Sequence, residues 1–477
     1  MSGTTNETLF NDGDKLRIWQ QNVNKSRTAQ EDLLESLNMG RYDVCAIQEP
    51  CIDCFNNTRA NSKWRVVYPA THRKSPKKTR SVLLINAQIS TNTWRPLDTD
   101  SGDLTVVRLA TSLGDVNIYN LYNDAKHDET TTAVAQAIRS HRRQNDDKHM
   151  IWLGDFNRHH PFWDEERNTH LFTRSNIERA QVVLDLAADN DMEMALPKDI
   201  PTLRALNTQN LTRPDNVFIS NSLIDSLTYC NTEPELQPVK TDHFPIITKI
   251  SMSTTTHEEP EWFNYKGTDW DKFRKKLEEN LHDITKHKSI PSIPIFDAAL
   301  QDINNVIAKT MEEVIPKVKH TPHRKRWWSA ELKALKKVVL KKGREAYNQR
   351  FNPDHPVHGD YRASRSLYAK AIRTAKIQHW NEWLEALDES SIWTAGRYAC
   401  NDPSDAGRAK VPDLKVRYRG ESDDVIATTN SDKGRAFYEA FFPPKPAQQC
   451  DYSEYTYPPP EMGPSALKRL PNRARHR

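Results

Sequence analysis

No apolar run in this 477-residue chain approaches the ~20 positions of a membrane-spanning helix, so no such span is expected in it. Cysteine is scarce. The six residues Cys45, Cys51, Cys54, Cys230, Cys400 and Cys450 are too few and too dispersed for a disulfide framework. Cys51-x-x-Cys54 has the spacing of half a zinc or redox site, but no second Cys or His pair follows nearby. Free thiols in a reducing compartment are therefore expected. The stretch from Met1 to Asp14 is polar and acidic, so no signal peptide is expected. The expected location is nuclear or cytoplasmic, not secreted. There is no internal repeat. Hydrophobic residues make up only 36% and mean hydropathy is −0.81, so part of the chain is expected to be extended or loosely packed.

Charge is present in quantity and unevenly placed. Residues 1–250 carry 29 Lys and Arg against 33 Asp and Glu; the remainder carries 39 against 31. Between 317 and 383 the count is 17 against 5. A nearly neutral first half and a basic second half suggest a catalytic module followed by an electrostatic anchor for a polyanion.

Short apolar strands alternate with amphipathic helices from Lys15 to Ile250. Strands are expected at Leu16–Val23, Val44–Gln48, Arg65–Tyr68, Val82–Ile85, Thr105–Leu109, Val116–Tyr122, Met150–Leu153, Asn216–Ile219 and Pro245–Ile250. Helices are expected at Ala29–Met39, Thr131–Gln144 and Ile177–Ala188. Many strands with few helices imply an α/β fold, a four-layered sandwich of two packed β-sheets flanked by helices. The expected divisions are a disordered N-terminus (1–14), a catalytic domain (15–252), a linker (253–262), a mostly α-helical basic region (263–395) and an irregular, proline-rich, mostly disordered tail (396–477). A short strand pair near Leu414–Arg419 and a helix at Lys433–Phe441 are expected within that tail.

Polar motifs sit at the expected strand ends: Gln21-Asn22-Val23-Asn24, Ile47-Gln48-Glu49-Pro50, Val116-Asn117-Ile118-Tyr119-Asn120, Gly154-Asp155-Phe156-Asn157, Arg213-Pro214-Asp215-Asn216 and Thr241-Asp242-His243-Phe244. If extended geometry continues through Asp155 and Asn157, both side chains leave one face. Taken singly, each motif reads as a strand-end cap or an Asx turn. Taken together they supply what hydrolysis of an anionic phosphodiester requires: a hard cation, a base for water, and donors for the developing charge. Glu49 would hold Mg²⁺, with Mn²⁺ the alternative ion. Asp155 would take the proton from water, and Asn157 and Asn22 would position phosphate and metal. His243 would donate to a phosphate oxygen with Asp215 fixing its tautomer, and Tyr119 would donate a hydroxyl.

The run His72–Arg80, with Lys74, Lys77, Lys78 and Arg80, is either a solvated loop or a phosphate grip, and Arg158 is a further candidate for nucleic-acid contact. His159 and His160 read as a solvated loop or as contacts of the same kind. Trp327, Trp328, Trp380 and Trp383 are either base-stacking residues or helix–helix contacts.

The ordered set Ile47-Gln48-Glu49, Gly154-Asp155-Phe156-Asn157 and Thr241-Asp242-His243 resembles the endonuclease/exonuclease/phosphatase superfamily over roughly the first half of the chain. The resemblance implies the two-sheet sandwich, divalent-metal phosphoester hydrolysis, the roles given above, and Asp242 near the metal. Tyr122 is the alternative to Tyr119, because Asn120-Leu121-Tyr122-Asn123 departs from the family's usual proline-containing continuation. Asn24-Lys25 departs from the common Asn-Gly. Lys325-Arg326-Trp327-Trp328-Ser329 and Ala375-Lys376-Ile377-Gln378-His379-Trp380 resemble the segment after the nuclease in non-LTR (LINE-type) retrotransposon polyproteins, and Phe441-Phe442-Pro443-Pro444 resembles the lead-in to their reverse transcriptase. No Tyr-x-Asp-Asp motif follows, so a product truncated before the polymerase is expected. The implied function is a Mg²⁺-dependent endonuclease that nicks DNA, with element RNA as a second partner of the basic helices and no membrane partner. Two alternatives stand beside it: a phosphatase for an inositol phosphate or lipid-type substrate, and a catalytically dead nucleic-acid-binding retroelement remnant.

Overall fold

The computed structural model describes residues 15–39, 41–144, 149–205, 208–254, 256, 263–282, 292–317, 327–388, 392–400, 404–417 and 424–442. The expected disordered N-terminus, most of the 253–262 linker and the proline-rich stretch beyond 442 lie outside the described residues.

The chain opens with β1 (Lys15–Asn22), α1 (Arg27–Met39), β2 (Val44–Gln48), β3 (Trp64–Val67), β4 (Ser81–Asn86), β5 (Trp94–Leu97), β6 (Leu104–Thr111) and β7 (Gly114–Tyr122). It continues through α2 (Glu129–Gln144), β8 (His149–Asp155), α3 (Arg174–Ala188), β9 (Met192–Met194), β10 (Leu203–Arg204), β11 (Leu211–Thr212), β12 (Asp215–Ser220), β13 (Leu227–Thr232) and β14 (Ile246–Ser251). Then come α4 (Trp270–His282), α5 (Ile293–Val314), α6 (Ala330–Asn348), α7 (Val357–Glu385), α8 (Ile392–Cys400), β15 (Leu414–Val416), β16 (Val425–Ala427) and α9 (Asn430–Phe441).

Two six-stranded mixed sheets form, in the orders β13-β14-β1-β2-β4-β3 and β5-β6-β7-β8-β12-β9. Alternation along the strands explains their stacking. Leu16 and Ile18 of β1, Val44 and Ala46 of β2, Val116 and Ile118 of β7, and Ile151 and Leu153 of β8 share one core cluster drawn from both sheets. The intervening residues face helices. Trp19, Cys45 and Ile47 meet Leu33 and Leu37 of α1, whereas Tyr119, Leu121 and Trp152 meet Val134 and Ile138 of α2 and Val183 of α3. Each such side chain taken out of water contributes roughly 1.5–3 kcal/mol. The four-layered expectation therefore holds.

The described residues fall into two compact units, divided between Lys410 and Val411. The first contains the sandwich and α4 to α8. In it α6 and α7 pair around Leu332, Val339, Ala346, Tyr361, Tyr368 and Ile372, and that cluster includes Val239 from the loop before β14. In the second, β15 and β16 form an antiparallel pair, and Lys433 of α9 bonds Asp413 at 2.8 Å. The helix expected at Lys433–Phe441 is present, starting at Asn430, whereas of the strand pair expected near Leu414–Arg419 one strand lies there and its partner lies at Val425–Ala427. No helix among the described residues is long and apolar enough to cross a membrane.

Candidate active site

The inner face of the sandwich changes chemistry at one end. Along β1 the inward positions read Leu16, Ile18, Gln20, Asn22; along β2, Val44, Ala46, Gln48; along β7, Val116, Ile118, Asn120, Tyr122; along β8, Ile151, Leu153, Asp155. β1 runs parallel to β2 with Asn22 beside Gln48, and β7 runs parallel to β8 with Tyr122 beside Asp155. β12 runs antiparallel and starts there, pairing Asp215 with Asp155. Apolar packing thus gives way to a polar rim where β1, β2, β7 and β8 end and β12 begins.

The two halves of the rim are tied across the sandwich. Gln20 Nε2 donates to Gly154 O at 2.9 Å, and Gln48 Nε2 donates to Asn120 Oδ1 at 2.5 Å. Asn120 Nδ2 in turn donates to Val82 O and Ile47 O. Gly154 is required by the strand packing. A Cβ there would meet Leu121 O at 1.9 Å, and its φ of +149° lies outside what side chains accept.

Asp155 lies at the centre and is 1% exposed. Its Oδ2 accepts from Asn22 Nδ2 at 2.9 Å, and its Oδ1 accepts from the Asn157 amide at 3.0 Å. Burial, reinforced by Asp215, pushes its carboxyl up to about 7. His243 Nδ1 lies 2.8 Å from Asp215 Oδ2, which also accepts from Thr202 Oγ1 at 2.7 Å. A carboxylate facing Nδ1 keeps a proton on that nitrogen, leaving Nε2 toward Asp155 Oδ2 (3.9 Å) and Asp242 Oδ1 (4.0 Å). Burial acts to lower the imidazole, but the charge and hydrogen bond of Asp215 prevail, aided by Asp155 and Asp242, and raise it to about 10.

Glu49 follows β2 in a left-handed conformation, φ 46°. Its Oε1 is 3.2 Å from Lys25 Nζ, and its backbone carbonyl accepts from the Lys25 amide. Asn24 and Lys25 are themselves left-handed, both at φ 52°, so the turn keeps a glycine-like shape without glycine.

Glu49 and Asp242 offer oxygen donors of the kind a hard divalent cation takes, with side chains 13% and 21% exposed, whereas the Asn22 amide oxygen accepts from the Asn24 amide at 2.8 Å. Asp155, Asp215 and His243 also bring ligand atoms within 4.8 Å of one another. Their atoms also bond each other, Asn22, Asn157 and Thr202.

Several expectations change. Extended geometry stops at Asp155. Asn157 is left-handed, φ 49°, and its Nδ2 donates to Asn123 O at 2.8 Å, so the pair is set by a turn and not by strand alternation. Tyr119 does not reach the rim. It alternates outward, and its hydroxyl pairs with His141 Nδ1 at 3.1 Å under α2. Tyr122 has the inward parity. Burial raises its phenol, with Glu49 and Asp155 adding to the shift, which puts it among the site's carboxylates.

Arg158 is 2% exposed and spends its guanidinium on the carbonyls of Asp124, Asn157 and His127 and on Asp128, so it is a structural anchor and not a nucleic-acid contact. Arg80 is paired with Asp103 and Asp124 and lies 4.7 Å from the Tyr122 ring centroid. Lys74, Lys77 and Lys78 are all exposed, and Lys77 bonds the carbonyls of Ile52 and Asp53. The His159–His160 segment is not merely solvated: Asp164 binds His159, the His160 amide and the Arg213 amide.

Residues 116–247 match the family described as Endonuclease-reverse transcriptase, a segment holding Tyr122, Asp155, Asn157, Asp215, Asp242 and His243. The endonuclease/exonuclease/phosphatase resemblance read from the motifs is thereby met. No curated protein matches the chain. Among solved structures, the endonuclease domain of TRAS1, a telomere-specific non-LTR retrotransposon, shares 14% identity over 49% of this chain and 98% of its own, with a TM-score of 0.39. The AP endonuclease LMAP from Leishmania major shares 13% over 54% and 92%, with a TM-score of 0.41. An AP endonuclease from Archaeoglobus fulgidus shares 17% over 49% and 98%, with a TM-score of 0.37.

Proposed function

We infer that this chain is a divalent-metal-dependent endonuclease that nicks DNA as part of a non-LTR retrotransposon. The observation that carries this reading is the convergence of Asn22, Asp155, Asp215 and His243 at one sandwich end, with His243 Nδ1 2.8 Å from Asp215 and Nε2 turned to Asp155.

Each residue has work consistent with its surroundings. Asp155 accepts the proton of the attacking water. Asn22 and the Asn157 amide hold its two oxygens so that the lone pairs point in fixed directions. His243, kept cationic by Asp215, donates from Nε2 to a non-bridging phosphate oxygen, and the Tyr122 hydroxyl donates to another. Glu49, Asp242 and Asn22 would hold Mg²⁺ or Mn²⁺, which when bound supplies charge neutralisation at the phosphate. Exposed Lys74 and Lys78 suit backbone phosphates of a long substrate better than a small soluble phosphoester.

The test is nicking of supercoiled plasmid by the purified chain, with Mg²⁺ or EDTA, beside Glu49→Ala and His243→Ala. Mg²⁺-dependent nicking lost in both variants is the expected result. A folded protein that does not nick, yet releases phosphate from inositol phosphates, would overturn it.

A further inference from the structure

The basic helices α6 and α7 do more than carry charge, because their inner surface is built onto the loop that delivers Asp242 and His243. Arg365 of α7 donates to Gln237 Oε1 at 2.7 Å, to Pro238 O at 2.6 Å and to Thr241 O at 2.9 Å. Gln237 Nε2 also donates to Thr241 O, and Tyr361 Oη donates to Gln237 Oε1. Val239 is reached from the other side. Its amide donates to Asp32 Oδ2 at 3.0 Å, and Asp32 Oδ1 is held by Lys336 of α6 at 2.9 Å and by the Tyr368 hydroxyl at 3.0 Å. Between Gln237 and Thr241, the helical pair therefore holds every residue but Lys240, directly or through Asp32. Lys240 itself is left-handed, φ 66°.

The clamp continues into the site. Thr241 Oγ1 donates to Asn22 O at 2.8 Å, the His243 amide lies 3.4 Å from Thr241 Oγ1, and Asn22 Nδ2 holds Asp155. Phe244, next in sequence, meets Tyr347 of α6 edge to face at 6.0 Å. A planar guanidinium that satisfies three acceptors fixes their mutual positions as a lysine could not.

We propose that Arg365 is a positioning residue for the phosphoesterase site, locking the Gln237–Thr241 loop so that Asp242 and His243 are presented at fixed depth. This rests on the endonuclease reading for its activity readout and on the structure alone for its exchange readout. The full-length chain is compared with Arg365→Ala and Arg365→Lys.

Arg365→Ala is expected to lower kcat for nicking about 10- to 100-fold, the scale of a misplaced catalytic group, with KM within about twofold. Millimolar guanidinium should restore a several-fold part of the loss, and Arg365→Lys should recover less. Amide hydrogen exchange at His243 and Phe244 should quicken in Arg365→Ala while exchange within β7 and β8 is unchanged. A rise in KM with a flatter salt dependence and unchanged kcat would overturn the proposal, since Arg365 would then serve DNA affinity. Unchanged exchange at His243 and Phe244 would also overturn it, whether or not the chain nicks. Absence of nicking by the unaltered chain would instead remove the endonuclease reading and leave the exchange result to decide on the clamp.

Discussion

His243 and Asp215 are held as a unit: one oxygen of Asp215 faces Nδ1 at 2.8 Å and accepts the Thr202 hydroxyl at 2.7 Å. The carboxylate is thus oriented from behind before it orients the ring. Asp215→Asn keeps the shape but offers no charge to the imidazole and leaves its tautomer unfixed. Nicking should fall about 10²- to 10⁴-fold with DNA affinity little changed, measured by initial rates and gel shift.

Asp155→Asn removes the proton acceptor while keeping an amide that can still meet Asn22. The expected outcome is loss of at least about 10²-fold in kcat with intact DNA binding by gel shift. Activity equal to that of the unaltered chain would eliminate Asp155 as the base.

The two tyrosines should separate cleanly. Tyr122→Phe removes a donor at the rim and should lower kcat by up to about 10²-fold. Tyr119→Phe breaks the bond to His141 beneath α2, so it should lower stability by about 1 kcal/mol in urea unfolding and spare the rate.

That contrast shows what the sequence carried. The strand ends, the motif residues and the sandwich follow from short apolar runs with polar ends, and β2 appears with its expected bounds Val44–Gln48. Tyr119 reads as a rim residue in sequence because both faces of β7 are buried, so alternation does not distinguish the inter-sheet face from the helix face; the shared parity of Val116, Ile118, Asn120 and Tyr122 does. Within the two large sheets, β5, β9 and β13 carry no strand signal in the sequence, nor does the separate β10–β11 pair. The first three are sheet edges, where burial is partial; β5 contains Pro96 and β13 has a register shift between Leu227 and Tyr229. Arg158 looks exposed in sequence, but three acceptors distant from its own turn make burial tolerable. Thr202 and Arg365 belong to no strand-end motif, and only folding brings them to the site.

Lys25 invites a gain-of-function test. Its ammonium lies 3.2 Å from Glu49, and its backbone is left-handed at φ 52°. Lys25→Gly should relieve roughly 1 kcal/mol of backbone strain and remove a cation that competes for the carboxylate. Half-maximal nicking should then need less Mg²⁺. An unchanged Mg²⁺ requirement would show that Lys25 does not compete at Glu49.

The helical pair should be inseparable from the sandwich. Lys336 and Asp32 form a pair with side chains 5% and 4% exposed. Lys336→Met strands the Asp32 carboxylate in the interior and should cost about 3–5 kcal/mol in urea unfolding. A loss under about 1 kcal/mol would mean that water reaches Asp32 freely.

The Gln48–Asn120 and Gln20–Gly154 links join the two sheets beside the rim, and each sheet contributes only part of the reactive set. Asn22, Glu49 and His243 belong to one leaf of the sandwich and Tyr122, Asp155 and Asp215 to the other. Any opening that parts the leaves also dismantles the chemistry. Nascent or half-unfolded copies would therefore lack the assembled site, which exists only in a molecule whose two leaves are shut.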